Sequence, residues 1–300
     1  GLSILSAENS YTGGTTVRAG TLRLGGDERI LSAGSLLVEG GTFDLGGFRQ
    51  TVSTGTLTGG NISGGTLIAT DAFALQAGQV DAVLGGTAAL TKSSSGVVTL
   101  LGVNTYNGLT TVDGGTLQLA LSGGIGSGNS LLVKQGTLRL GDVNQTVGAF
   151  TLVGGAVEQG TLTGTSVILE SGRMDAVLSG SLTATKQTSG LVVLGAVNTY
   201  TGTLALSAGT LVLGVTGALS NGQAVTVSGG ELALGVTTQS VGALTLNGGL
   251  ISGGSVSAEN YFVHSGTISS VLRGNASLVK DSLGTVVLAG LNDYTGNTTV

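Results

Sequence analysis

His264 is the only histidine in the chain, so any Ser-His-Asp relay or imidazole metal site has to be built on it. Steps of 94 residues back from it fall on Glu170 and then Gln76, and a Leu or Val stands immediately before each of the three. In a strand that neighbour is buried and the polar residue faces outward, which reads His264 as an exposed member of a variable polar position. No Gly-x-Ser-x-Gly elbow accompanies it. Paired carboxylates are the other option, since cleavage of a glycosidic bond needs two of them within about 5–10 Å. Asp81 and Asp175 occupy matching sequence contexts. At about 20 residues per turn of a repetitive fold they would stand four or five turns apart, too far to share one bond. Asp44, Asp71, Glu158, Glu170 and Glu259 are scattered. The sequence therefore assigns no catalytic, cofactor-binding or metal-binding residue, and a non-enzyme is expected.

Other chemical motifs are weaker still. The run Gly123-Gly124-Ile125-Gly126-Ser127-Gly128 looks like a phosphate-cradling loop, but no Lys follows and no helical pattern opens there, so it reads as a flexible loop. The Asp-bearing Gly-Gly-x-Gly-x-Asp calcium repeat is absent. Asn61, Asn144, Asn275 and Asn297 head Asn-x-Ser/Thr triplets of the kind a Thr-rich chain generates by chance. Asn9, Asn104, Asn198 and Asn292 each precede a Tyr by two residues. They read as corner residues able to adopt a left-handed conformation and to bond their own backbone, with the Tyr covering the corner or, alternatively, stacking on a glycan. Lys92, Lys186 and Lys280 each precede a Gly-containing turn and read as solvated charges.

The elements that hold these residues follow from composition. Of 300 residues 57 are Gly, none is Pro or Cys, and only 9% are charged. Collagen is excluded because Gly does not fall at every third residue. Disorder is excluded because 40% of residues are hydrophobic. A net charge of -5 disfavours nucleic acid and anionic membranes as partners. No apolar run approaches the ~18 residues of a spanning helix, so membrane attachment would come only through regions outside this segment. The opening Gly-Leu-Ser-Ile-Leu has no basic leader, placing any signal peptide outside it as well.

The segment Asn9-Ser10-Tyr11-Thr12-Gly13 recurs at Asn104, Asn198 and Asn292, spacings of 95, 94 and 94 residues. Gln50-Thr51-Val52, Gln145-Thr146-Val147 and Gln239-Ser240-Val241 keep step with it. This defines units 9–103, 104–197 and 198–291 with partial units at 1–8 and 292–300, one continuous solenoid segment that reads as a slice of a longer array. Within each unit Gly-Thr-Leu-x-Leu-Gly patterns alternate with period two, the signature of a strand with one buried face. Leu22, Leu24, Leu117, Leu119, Leu138, Leu140, Leu211, Leu213, Leu232 and Leu234 are thus expected in one core. Inner coils of a solenoid pair on both edges and exclude Pro, whereas a sandwich tolerates it at edges. An all-β parallel solenoid of about 15 coils, on the order of 70 Å long, is expected.

The phrases Leu90-Thr91-Lys92, Gly96-Val97-Val98-Thr99-Leu100, Asn104-Thr105-Tyr106-Asn107-Gly108-Leu109-Thr110-Thr111-Val112 and Gly115-Thr116-Leu117-Gln118-Leu119 resemble the autotransporter-associated β-strand repeat. Thr203-Leu204-Ala205-Leu206 departs from it where Thr-Thr-Val would stand. The resemblance implies a right-handed parallel β-helix in the passenger region of a type V secreted surface protein, extracellular on a Gram-negative bacterium. It further implies a stalk or adhesin serving display, adhesion or biofilm. Surface or matrix glycans or proteins, or lateral copies of itself, are the partners it allows. A polysaccharide-acting enzyme and a self-assembling fibre are the alternatives.

Overall fold

The computed structural model describes Gly1–Val300, and no residue in it is helical. The chain forms two compact units, one of Gly1–Ala149 with Glu158–Gly160 and one of Phe150–Val157 with Thr161–Val300. Each is a parallel β-solenoid.

In the first unit the strands Leu2–Leu5, Thr21–Leu24, Thr42–Asp44, Asn61–Ser63, Gly78–Val80, Val97–Leu100, Thr116–Leu119 and Thr137–Arg139 pair in that order, all parallel. A second face stacks Thr15–Val17, Leu36–Val38, Arg49–Leu57, Thr66–Leu75, Ala89–Lys92, Thr110–Val112 and Leu131–Val133. In the second unit one face runs from Gly172–Met174 through Leu191–Leu194, Thr210–Leu213, Glu231–Ala233, Leu250–Ser252 and Gly266–Ile268 to Val286–Leu288. Its partner face runs from Ser166–Leu169 through Thr183–Lys186, Leu204–Leu206, Val225–Val227, Thr238–Leu246, Ser255–Val263 and Leu278–Val279 to Thr298–Thr299.

Most strands are three or four residues long because the period-two pattern is cut by glycine corners. Every inward side chain sits on its counterpart one turn away. Phe43, Ile62, Val80, Leu100 and Leu119 make one such column, all buried. Of the ten leucines expected inside, nine are buried. Leu22 is only half-buried, because its register partner one turn back is the small Ser3.

The conserved-looking glycine of the Asn-x-Tyr-x-Gly motif has a steric reason. A Cβ at Gly108 would run into the Ala88 carbonyl of the coil beneath, and one at Gly202 into that of Leu182. Gly209 adds a backbone reason: its φ is +70°, a conformation that a side chain strains.

Candidate functional site

The polar residues that repeat most faithfully point inward. Asn104 and Asn198 are 4% and 3% exposed, and Gln50, Gln145 and Gln239 are 0–1% exposed. No Asn of the series has positive φ, so the left-handed corner expected for them does not form. Their amides instead bridge coils. Asn104 Oδ1 accepts from Leu84 N–H at 2.8 Å and its Nδ2 donates to Gly124 C=O at 2.7 Å. Asn198 repeats this on Leu178 and Ala218, at 2.8 and 2.7 Å. Asn292 accepts from Leu272 N–H at 2.8 Å, and Asn9 donates to Arg29 C=O at 3.0 Å.

The glutamines close the other side of the same peptide units. Ile125 N–H, in the same peptide unit as the Gly124 C=O, donates to Gln145 Oε1 at 3.2 Å. Ile30 N–H donates to Gln50 and Leu219 N–H to Gln239, at 3.0 and 3.1 Å. One corner peptide in each repeat is thus held by an Asn from the coil before and a Gln from the coil after. Buried backbone groups at a corner cannot join a ladder and must find such partners. The pinned peptide also corrects the reading of Gly123–Gly128 as a flexible loop: Ile125 is fully buried and the turn is anchored from both neighbouring coils.

Lys92 and Lys186 are not solvated; both are 0% exposed. They occupy inward columns, Lys92 between Leu75 and Val112 and Lys186 beside Leu206. The Lys92 ammonium reaches the carbonyls of Ser93, Ser94 and Gly114 at 2.7, 2.9 and 3.0 Å. Lys186 bonds the carbonyls of Thr188 and Ala208. Loss of water pushes both ammonium groups below their usual pKa, with Glu170 pulling that of Lys186 partly back. Lys280 makes the corresponding bond to the Ser282 carbonyl but remains partly exposed.

Tyr106 and Tyr200 are buried too, so these two cannot stack on a glycan. Tyr106 Oη bonds Thr110 Oγ1 at 2.7 Å, and Tyr11 and Tyr294 bond Thr15 and Thr298 at the same distance. Phe73 meets the Tyr106 ring edge-on at 6.1 Å. At Tyr200 the residue four positions on is Leu204, which cannot bond the hydroxyl. The hydroxyl and Gln223 Nε2 make no hydrogen bond of good geometry, but the Gln223 amide lies near enough to pull the hydroxyl's pKa partly back against burial. Burial pushes the Tyr200 hydroxyl up to about 12 and that of Tyr106 higher still.

The residues weighed for chemistry lie elsewhere. His264 is partly exposed, and its Nδ1 lies 2.9 Å from Asp281 Oδ1. The nearby Ser282 hydroxyl donates to the His264 backbone carbonyl, not to the ring. Asp81 is exposed, and Asp175 pairs with Arg173. Asp44 accepts from Gly46 N–H at 2.8 Å and lies 3.5 Å from Arg23. Glu158 pairs with Arg139 at 3.0 Å. Asp71 and Glu259 are exposed.

Open grooves flank the clamped peptides. In the second unit a groove of about 350 Å³ runs along Val197, Asn198, Leu219, Ser220, Asn221 and Ser240. Its counterpart in the first unit, about 740 Å³, is lined by Glu8, Asn9, Ile30, Leu31, Ser32 and Thr51. A third, about 380 Å³, passes between Asn104–Asn107 and Gly126–Asn129. In sequence the grooves were legible only as Asn-x-Tyr landmarks. Within each unit the stacking of the turns forms them.

Residues 4–24, 90–119, 185–213 and 278–300 match the passenger-associated-transport-repeat family. Over 278 residues, 83% of the chain, the sequence is 34% identical to a protein described as adhesin BmaC autotransporter from Brucella suis biovar 1 (strain 1330). The chain spans 8% of that protein's length. No solved structure matches.

Proposed function

We propose, for a chain that carries the passenger-associated-transport repeat four times, that it is part of the extracellular passenger of an autotransported adhesin, displayed on a Gram-negative bacterium and acting without catalysis. The likeness to an autotransporter adhesin over 83% of the chain carries this reading. The physical chemistry is consistent with it. The most regular polar side chains, Asn104, Gln145, Asn198 and Gln239, are used to hold coil corners together, and Lys92 and Lys186 are used on carbonyls. A fold whose neighbouring turns bury one another gains length by adding turns, which suits display and reach.

The test is adhesion by bacteria displaying the chain, compared with a variant lacking Asn198–Leu291. The deletion joins Val197 to Asn292, two equivalent junctions, and is expected to stay folded and to weaken adhesion. Replacing His264, Asp81 or Asp175 by Ala is expected to change nothing. A hydrolytic or lyase activity abolished by one such substitution would make the chain an enzyme and defeat the proposal.

A further inference from the structure

The groove at the Asn198 corner has the lining expected of a carbohydrate subsite. In the second unit the floor is rigid, since the Ala218–Leu219 peptide beneath it is held by both Asn198 and Gln239. The rim is polar and neutral: Thr216, Asn221, Thr238 and Ser240 are all exposed. Asn221 is already oriented, because its Oδ1 accepts the Ser240 hydroxyl at 3.0 Å, which turns the Nδ2 donor pair toward solvent. At one end stands Val197, 57% exposed, an aliphatic side chain at the edge of the groove. A pyranose ring presents hydroxyls around its edge and C–H groups on its face, so a neutral hydrogen-bonding rim beside an aliphatic side chain matches it. The absence of charge at this groove gives an anionic ligand nothing to pair with.

The groove at Asn104 is a different one: it passes between Asn104–Asn107 and Gly126–Asn129, Val103 does not line it, and Ser127 stands at the position of Asn221. The copy at Asn9 differs. Glu8 replaces the valine and Glu28 enters the wall, with Glu28 accepting from Thr51 N–H and Gln50 Nε2 at 2.9 and 3.0 Å. There the apolar flank is lost, and the chain carries its own comparison.

We propose that the groove at Asn198 binds neutral sugars, as a subsite for an uncharged, hydroxyl-bearing glycan. The proposal rests on the adhesin reading and names its ligand class. The probe is a short oligomer of N-acetylglucosamine, followed by saturation-transfer NMR and titration on the 300-residue chain. Binding is expected in wild type, with affinity reduced at least about tenfold in the Val197→Glu, Asn221→Ala double variant. Both positions are exposed, and an unchanged circular dichroism spectrum will show that the fold persists. A sulfated oligosaccharide of the same length should bind more weakly than the neutral one.

No binding of the neutral oligomer, or binding that the double variant leaves intact, overturns the proposal. Preference for the sulfated sugar does so as well. The adhesin reading is judged separately, by adhesion of displaying cells. Adhesion persisting without sugar binding removes only the subsite, and loss of adhesion altogether removes the reading beneath it.

Discussion

Tyr106 and Tyr200 form the same aromatic corner with and without a partner for the hydroxyl, so one substitution made at both should act with opposite signs. At Tyr106, replacement by Phe removes the 2.7 Å bond and leaves Thr110 Oγ1, in a residue 0% exposed, without it. A buried hydroxyl deprived of its partner costs about 1–3 kcal/mol. At Tyr200 the hydroxyl makes no bond of good geometry and has only the Gln223 amide near it, so Phe removes a polar atom that burial penalises by roughly 1–2 kcal/mol. The expected difference between the two variants is about 2–5 kcal/mol. Repeat folds open locally, so a single melting curve is a poor assay. Native-state hydrogen exchange reads each corner directly. Exchange of the buried amides around Thr110 should speed up by about tenfold or more in Tyr106→Phe, and those around Leu204 should slow in Tyr200→Phe. The same two variants have an alkaline signature. A tyrosine whose folded pKa is raised contributes stability that is full below its unfolded value near 10 and is lost as pH rises through its folded value. For Tyr200 that window is pH 10 to about 12, and Tyr200→Phe should remove that part of the alkaline destabilisation. Equal destabilisation by both Phe variants would mean that Tyr200 Oη is bonded, with Gln223 the candidate, and would refute the argument from Leu204.

The remaining expectations concern buried groups. Lys92 and Lys186 should resist an amine-acylating reagent in the native chain while Lys134 is labelled, as peptide mass spectrometry will show; rapid labelling of Lys92 would contradict its burial. Gln145→Ala should free the Ile125 amide to exchange and cost about 1–3 kcal/mol locally. Ser270, 0% exposed with an unpartnered Oγ, occupies a place where Ala82 and Ala176 stand in matching contexts, so Ser270→Ala should stabilise its coil by up to about 1–3 kcal/mol, read by hydrogen exchange. Leu138→Ala should cost about 2–5 kcal/mol as local fraying.

The sequence alone determined the parallel solenoid and the inward set of leucines, because period-two alternation, glycine corners and the lack of proline are local constraints legible at each strand. The same alternation held a signal about the lysines: Leu90 in and Thr91 out leave Lys92 facing in, yet a charge before a turn is ordinarily solvated. Only the stacked coils supply the carbonyls of Ser93, Ser94 and Gly114 that make an inward ammonium tolerable. The Asn and Gln landmarks were visible as a pair 41 residues apart in three repeats, but the reason for that interval was not. It is two turns of the solenoid, with one peptide clamped between them, and the rise and register of those turns exist only once each coil has the next to lie on. Leu22 shows the same dependence: it is set by Ser3 one coil back, which no local pattern reports, whereas the Leu204 that replaces the bonding Thr after Tyr200 was visible as a departure from the repeat.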